Sequence, residues 1–241
     1  MSLLFISDLH LSPSHPDVVD LFLNFLSGPA LLAEKLFILG DLFEGWIGDD
    51  DLSPFNQMII SKLKVLSHST ECFFMAGNRD FLISQSFAKM SGCHLLEEPT
   101  IIDIYGTPTL LLHGDTLCTL DVGYQRFRSV IRQPFIKKIF LNLPLSMRDK
   151  IFNGFRSRSK VNVASKSMEI MDVTSSAVEQ EFVHHGVFQI IHGHVHRPKL
   201  HKYKLANGEC KRWVLGDWGH SAWYVEATPS KIQLVNFLDH K

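Results

Sequence analysis

Ile38-Leu39-Gly40-Asp41 is the stretch whose reading decides the fold. A short apolar run stops at a glycine and then at an aspartate. Glycine lets the backbone turn where a side chain would clash. The carboxylate is thereby left at the rim of a sheet, where α/β folds build their sites. Four other segments have the same form. Leu3-Leu4-Phe5-Ile6 leads to Asp8-Leu9-His10, and Cys72-Phe73-Phe74-Met75 leads to Gly77-Asn78-Arg79-Asp80. Leu110-Leu111-Leu112 leads to His113-Gly114-Asp115, and Ile190-Ile191-His192 leads to Gly193-His194-Val195-His196.

Around these segments, strands and helices alternate. Residues 3–7, 36–39 and 72–75 read as buried strands, too short and continuous for helices. Residues 16–26 carry apolar side chains at helical spacing, opened by Pro16 and stopped by Gly28-Pro29. Ser53-Pro54 opens a helix over 53–66, and a third helix is expected over 81–90. Residues 101–104 and 109–112 read as a hairpin around Gly106. A helix is expected over 171–183. Strands are expected at 188–192, 199–204, 211–215, 222–226 and 231–237, closing a second sheet. The alternation argues for a layered α/β core.

Residues 121–170 differ. Between Gln125 and Met168 stand eleven Lys or Arg against one acid, Asp149, in a chain of net charge −1. Five phenylalanines are interleaved with them (Phe127, Phe135, Phe140, Phe152 and Phe155). The segment reads as a basic, apolar-faced helical insertion, broken at Pro134 and Pro144. The expectation is one domain over 1–241 with this insertion as a cap. A basic helix with an apolar face suits a membrane surface, and the same face turned inward would shelter acyl chains. On that reading Lys137 and Lys138 face lipid, while Arg156 and Lys166 face substrate.

The bulk composition excludes several classes. Four scattered cysteines with no C-x-x-C pair fit reduced thiols better than a disulfide framework. No basic leader with a cleavage site opens the chain, and no run approaches the ~20 apolar residues of a membrane span. Thirteen histidines point to metal chemistry.

Taken singly, an Asp-x-His pair is weak evidence. Five strand ends mixing Asp, His and Asn are stronger. Carboxylate with imidazole suits Mn²⁺, Fe²⁺ or Zn²⁺, and the absence of cysteine ligands argues against structural zinc. Asp8 and His10 share one face of an extended segment, as do His194 and His196. Two metals about 3.5–4 Å apart can share Asp41 and activate a water. The chemistry indicated is in-line hydrolysis of a phosphate ester or anhydride.

The order D-x-H, G-D-x-x-E, G-N-x-D, H-G-D, G-H-x-H strongly resembles the calcineurin-like metallophosphoesterase superfamily, over the whole chain. The resemblance implies an α/β fold, a four-layer αββα sandwich of two mixed sheets flanked by helices. It implies that Asp8, His10, Asp41 and His196 hold one metal and Asp41, Asn78, His113 and His194 the other. Glu44, Asp80 and Asp115 are expected to orient these ligands, and His192 to have a structural role.

Many phosphoesterases of that superfamily carry G-N-H, whereas this chain has Gly77-Asn78-Arg79. Arginine cannot give up a proton at working pH, so Arg79 can only clamp charge. That suits a leaving group needing no proton, such as a phosphomonoester leaving an anhydride. Longer stretches also stand out: Phe43-Glu44-Gly45-Trp46-Ile47-Gly48, Gly77-Asn78-Arg79-Asp80-Phe81-Leu82, His113-Gly114-Asp115-Thr116-Leu117 and Leu215-Gly216-Asp217-Trp218. In order and spacing they resemble the UDP-2,3-diacylglucosamine pyrophosphatase family of lipid A biosynthesis. That resemblance implies hydrolysis of the nucleotide-sugar lipid to UMP and 2,3-diacylglucosamine 1-phosphate. It implies two Mn²⁺ ions and a peripheral location on the cytoplasmic face of the inner membrane. By position, Asn78, Arg79, Asp121, Tyr124, Arg156, Ser159, Lys166 and His194 would contact substrate, and Trp46 would line the acyl chamber. The chain departs from the family pattern at Val163 and Val195.

Two other functions would use parts of the same pattern. A nuclease or general phosphodiesterase would use the basic segment to hold nucleic acid, but phenylalanine and aliphatic residues alternate with the charges, so no nucleic-acid partner is expected. A catalytically dead scaffold predicts lost ligands, and none is lost. A monomer is favoured.

Overall fold

The computed structural model describes residues 2–165, 170–206 and 208–240, with the side chains of residues 157–165 and 240 outside the description. Strands β1 (Leu3–Ile6), β2 (Lys35–Leu39), β3 (Glu71–Met75) and β4 (His94–Leu96) run parallel in one sheet. Helices α1 (Pro16–Ser27), α2 (Pro54–Leu66) and α3 (Gln85–Ser91) connect them. The second sheet begins with the hairpin β5 (Thr100–Ile104) and β6 (Thr107–Leu112). It continues through β7 (Gln189–His192), β8 (Lys199–Leu205) and β9 (Gly208–Val214), in the order β5-β6-β7-β9-β8.

The last two strands depart from the sequence reading. β10 (Trp223–Ala227) and β11 (Ile232–Asn236) were expected to close the second sheet, yet they extend the first, in the order β11-β10-β1-β2-β3-β4. β10 lies antiparallel on β1, with Phe5 opposite Val225. Alternation gives a strand its faces but not its neighbour, so the sequence left this pairing open.

Every residue of β1 is buried, and alternate residues serve different layers. Leu3 and Phe5 meet Phe37, Leu39, Leu111, Ile191 and Trp213 between the two sheets. Leu4 and Ile6 face α1 and α2 with Leu36, Ile38, Phe22, Phe25, Ile59 and Leu63. On the far side, α7 (Ser175–His185) covers the second sheet, with Val178 and Phe182 against Leu110, Leu112 and Ile190. The result is the four-layer α/β arrangement expected, helix on sheet on sheet on helix.

Two helices start later than the pattern suggests. Residues 81–84 form turns, and α3 begins at Gln85 because Asp49 accepts hydrogen bonds from the Ser84 hydroxyl (2.6 Å) and the Phe87 amide (2.8 Å). α7 begins at Ser175, where Thr174 caps it through the Ala177 amide.

Between β6 and α7 run three helices, α4 (Val122–Ile131), α5 (Pro134–Leu141) and α6 (Leu145–Ser165). Pro134 is the first residue of α5, so the proline ends one helix and starts the next. Neither α4 nor α5 has a buried residue. Phe135 is 70% exposed and Val130 55%. No helix among the described residues is long and apolar enough to cross a membrane.

Candidate dinuclear metal site

The parallel strands β1, β2, β3, β6 and β7 deliver their C-terminal ends to one rim. The turns there are tight. Asp8, His10, Asp41, His194 and His196 all have positive φ, between 49° and 70°. Among the described residues Tyr105 is the one other non-glycine with positive φ. Such a conformation is costly for residues with a Cβ and concentrates at functional sites. Gly40 (φ 87°) has no room for a side chain, since an added Cβ would lie 2.6 Å from both the Gly77 Cα and the His113 ring. The glycine thus lets three of the strand ends converge.

The seven predicted ligands come together in two overlapping groups. His10 Nε2 lies 3.4 Å from His196 Nε2, and His196 Nε2 lies 3.4 Å from Asp8 Oδ1. Asn78 Oδ1 lies 2.9 Å from His113 Nε2 and 3.0 Å from His194 Nδ1. Asp41 stands between them, its Oδ2 4.0 Å from His10 Nε2 and its Oδ1 3.7 Å from His113 Nε2.

The donors suit divalent cations. Asp8 Oδ1, which faces His196, is buried without a hydrogen-bond partner, which is costly unless a ligand satisfies it. Asp8 Oδ2, by contrast, accepts from the Ser7 hydroxyl (2.6 Å) and the His194 amide (2.8 Å), so the carboxylate is aimed. His113 Nδ1–H donates to the Leu39 carbonyl (2.9 Å), which turns Nε2 toward the site. Burial holds His10 down to about 3 and His194 to about 4, leaving both imidazoles neutral at physiological pH. At His113 burial is outweighed by Asp41, Asp8, Asp115 and Glu98, which raise it to about 9. Burial pushes Asp41 up to about 7. A carboxylate reluctant to ionise beside an imidazole that holds a proton marks a cluster short of positive charge.

The residues expected to support the ligands lie around them. Asp80 accepts from the amides of Gly77 (2.8 Å) and Leu42 (2.8 Å), tying two ligand loops together. His192 donates from Nδ1 to the Gly193 carbonyl (2.8 Å) and accepts from Arg212 (3.0 Å). Glu44 lies 3.6 Å from His10 Nδ1.

The expected substrate residues are placed unevenly. Arg79 is half-buried, and its charge is among those that lower His10. Its amide donates to Asp41 Oδ1 (2.8 Å). Tyr124 stacks on His194 at 6.2 Å and donates to Asp115 Oδ2 (2.6 Å). Asp121 caps α4 by accepting from the Tyr124 amide (3.0 Å). Arg156 pairs with Glu44 at 2.6 Å. Ser159, Val163 and Lys166 lie outside the described side chains.

Two expectations need correction. Trp46 is only 1% exposed; its ring packs on Phe43 and Phe87 and its Nε1 donates to Asp49 (3.0 Å). It is turned into the core, away from any chamber wall, because the indole fills the gap between the loop and α3. Lys137 does not face lipid. Its ammonium donates to the Phe81 carbonyl (3.0 Å) and lies over the Phe81 ring, and burial lowers its pKa. Lys138 is exposed.

Sequence reasoning gave no individual role to Glu98, Arg128, Arg132 or Arg148. Glu98 accepts the His113 amide (2.7 Å) from a loop with no metal-ligand pattern of its own. No local signal marks it. Its partners lie 15 and 30 residues away.

A fold of two mixed sheets with paired carboxylates and imidazoles at the strand ends defines a metallophosphoesterase. The family model described as calcineurin-like phosphoesterase matches residues 1–198, and the chain belongs to that family. A solved archaeal phosphodiesterase shares the fold, with a TM-score of 0.51 at 10% identity over 98% of this chain and 100% of that one. Curated relatives are closer. UDP-2,3-diacylglucosamine hydrolase of Klebsiella pneumoniae is 48% identical over 238 residues, 98% of this chain and 99% of the relative. The enzyme of the same name from Serratia proteamaculans is 46% identical with the same coverage. Within the calcineurin-like phosphoesterases, the chain falls in this hydrolase family. The family implies a dinuclear divalent metal site, and the described residues supply the ligand groups for one.

Proposed function

We propose that this protein hydrolyses the pyrophosphate bond of UDP-2,3-diacylglucosamine to UMP and 2,3-diacylglucosamine 1-phosphate. The observation that carries the reading is near-full-length identity of 46–48% to hydrolases of that name. The convergence of the seven predicted ligands supports it.

Asp8, His10, Asp41 and His196 would hold one Mn²⁺ and Asp41, Asn78, His113 and His194 the other. Bound there, the two cations would supply an activated water and neutralise phosphoryl charge. The chain supplies the rest. The Arg79 charge is felt at His10, and a permanent cation there would stabilise the developing charge on the phosphates. It gives no proton, and none is needed when the sugar 1-phosphate leaves. Tyr124 keeps its proton, because burial and the Asp115 carboxylate raise its pKa, and with that proton given to Asp115 in a hydrogen bond its hydroxyl oxygen is left to accept one from substrate. Arg156 would exchange its Glu44 partner for the substrate, with Asp121, Ser159 and Lys166 completing the contacts to the sugar and phosphate.

The helices α4–α6 act as a cap over the acyl chains and as the membrane contact. Support comes from the exposed Val130, Phe135, Ile139, Leu145, Met147 and Phe155, a set that burial alone would not leave outside. Such a surface supports a peripheral location, which would be the cytoplasmic face of the bacterial inner membrane. Incubation with UDP-2,3-diacylglucosamine and Mn²⁺, with chromatography for UMP, tests the reading. UMP should accumulate and chelation should stop it. An intact substrate in the presence of Mn²⁺ would refute it.

A further inference from the structure

Tyr124, Arg128 and Arg132 recur every four residues along one face of α4. The two arginines do not face solvent or the exposed apolar side. Arg128 lies between two enclosed carboxylates, with Nε 2.7 Å from Asp115 Oδ2 and a terminal nitrogen 2.9 Å from Glu98 Oε2. The other oxygen of Glu98 accepts the His113 amide (2.7 Å) and the Gly114 amide (3.4 Å). Asp115 belongs to the same loop and also accepts the Tyr124 hydroxyl. One turn on, Arg132 donates to the carbonyl of Gly77 (2.8 Å), the residue before Asn78. A single helix thus grips both loops that carry His113 and Asn78.

α4 has no buried residue, so apolar packing contributes little to seating it. Enclosed ion pairs add little net stability, because desolvation offsets their attraction. What a planar fork between two carboxylates does provide is direction. We infer that Arg128 and Arg132 are positioning residues. They couple the seating of α4, which carries Tyr124 and starts at Asp121, to the geometry of His113 and Asn78. The inference rests on the function proposed above and deepens it: substrate held on α4 and cations held at the strand ends strengthen each other. Such coupling is reciprocal by thermodynamic necessity.

The test uses the full chain with Arg128→Met, Arg128→Lys, Arg132→Met and, as a charge control, Arg126→Met on the exposed side of α4. Equilibrium dialysis measures Mn²⁺ affinity with and without 2,3-diacylglucosamine 1-phosphate, and kcat and KM are measured in detergent. Arg128→Met should lose about 10–100-fold in Mn²⁺ affinity, the usual scale for residues that orient metal ligands. Its kcat should fall, and the tightening of Mn²⁺ by the lipid product should shrink toward unity. Arg132→Met should show the same pattern more weakly, Arg128→Lys should recover part of the loss, and Arg126→Met should match the wild type. A folded Arg128→Met protein with wild-type Mn²⁺ affinity and wild-type product coupling overturns the inference. If that variant does not fold, Glu98→Gln keeps an acceptor for His113 and removes the charge facing Arg128. Wild-type Mn²⁺ affinity in Glu98→Gln overturns the inference equally. Failure of the wild type to release UMP would count against the proposed function alone, since the Mn²⁺ measurements need no turnover.

Discussion

The strand-end rim and the helical cap meet at the same site but are held by different forces. The rim is fixed by backbone. Its turns sit on two continuous apolar layers, and Gly40, Asp80 and the Leu39 carbonyl leave its ligands little freedom. The cap is fixed by charge. Arg128, Arg132, Lys137, Arg148 and Arg156 each reach back to a carboxylate or carbonyl of the body. Apolar contact is sparse, although the Phe152 ring closes over Gly45, where an added Cβ would force that ring to shift. On the function proposed above, a rigid rim would keep the metals registered, while a cap with an exposed apolar surface would shift over a lipid without unfolding the body.

Breaking the rim should have the largest effect. Asp41→Ala removes the carboxylate that both ligand groups share, so turnover should fall below detection with the fold retained. Metal analysis should show a loss of more than one equivalent. Near-normal turnover with Mn²⁺ would remove Asp41 from its bridging role.

Arg79 follows Asn78 at the rim, and the proposed function gives it the phosphate charge to hold. Arg79→Ala should lower kcat by about 10²–10³-fold, the scale of losing one preorganised charge donor. The pH profile should keep its shape, because no proton transfer is lost. A displaced optimum in the variant would show that Arg79 had been supporting an acid–base step.

The cap should respond differently. The Arg148 guanidinium donates to the Ile47 carbonyl (2.7 Å) and pairs with Asp50 through both terminal nitrogens. Arg148→Met should raise hydrogen exchange across α5 and the start of α6 while leaving β1–β3 amides protected. Equal loss of protection in the sheets would mean that cap and body unfold as one unit, and the contrast would fail.

The smallest effect belongs to the surface. Lys138 is exposed and Lys137 is engaged with Phe81, so only Lys138 should matter for lipid. Lys138→Glu should weaken binding to anionic vesicles several-fold, since each basic residue near such a surface contributes about 1 kcal/mol. Turnover in detergent should stay nearly unchanged. Unaltered vesicle binding would leave the membrane face of the cap without its charge component.

The same contrast explains what could be read from the sequence. The rim was legible because its chemistry is local: an apolar run, a glycine and a ligand within a few residues. The seven residues expected as ligands lie close together, and the layers follow from strand alternation. The cap was legible only as composition. Its basic excess suggested a lipid or substrate face, yet Arg128, Arg132, Lys137 and Arg148 use their charge on partners 13 to 101 residues away. Nothing in a charge count says which way a side chain points. Trp46 failed for a related reason, since an aromatic in a loop can fill a core gap as readily as line a chamber. The addition of β10 and β11 to the first sheet was hidden because pairing partners are not encoded in a strand's own pattern.

The central claim is that rim and cap together set a water to attack the uridine-side phosphorus, with the lipid 1-phosphate leaving from under the cap. Turnover of UDP-2,3-diacylglucosamine with Mn²⁺ in ¹⁸O-water, followed by mass spectrometry of both products, tests it directly. One ¹⁸O should appear in UMP and none in 2,3-diacylglucosamine 1-phosphate; label in the lipid phosphate would contradict attack at the uridine-side phosphorus.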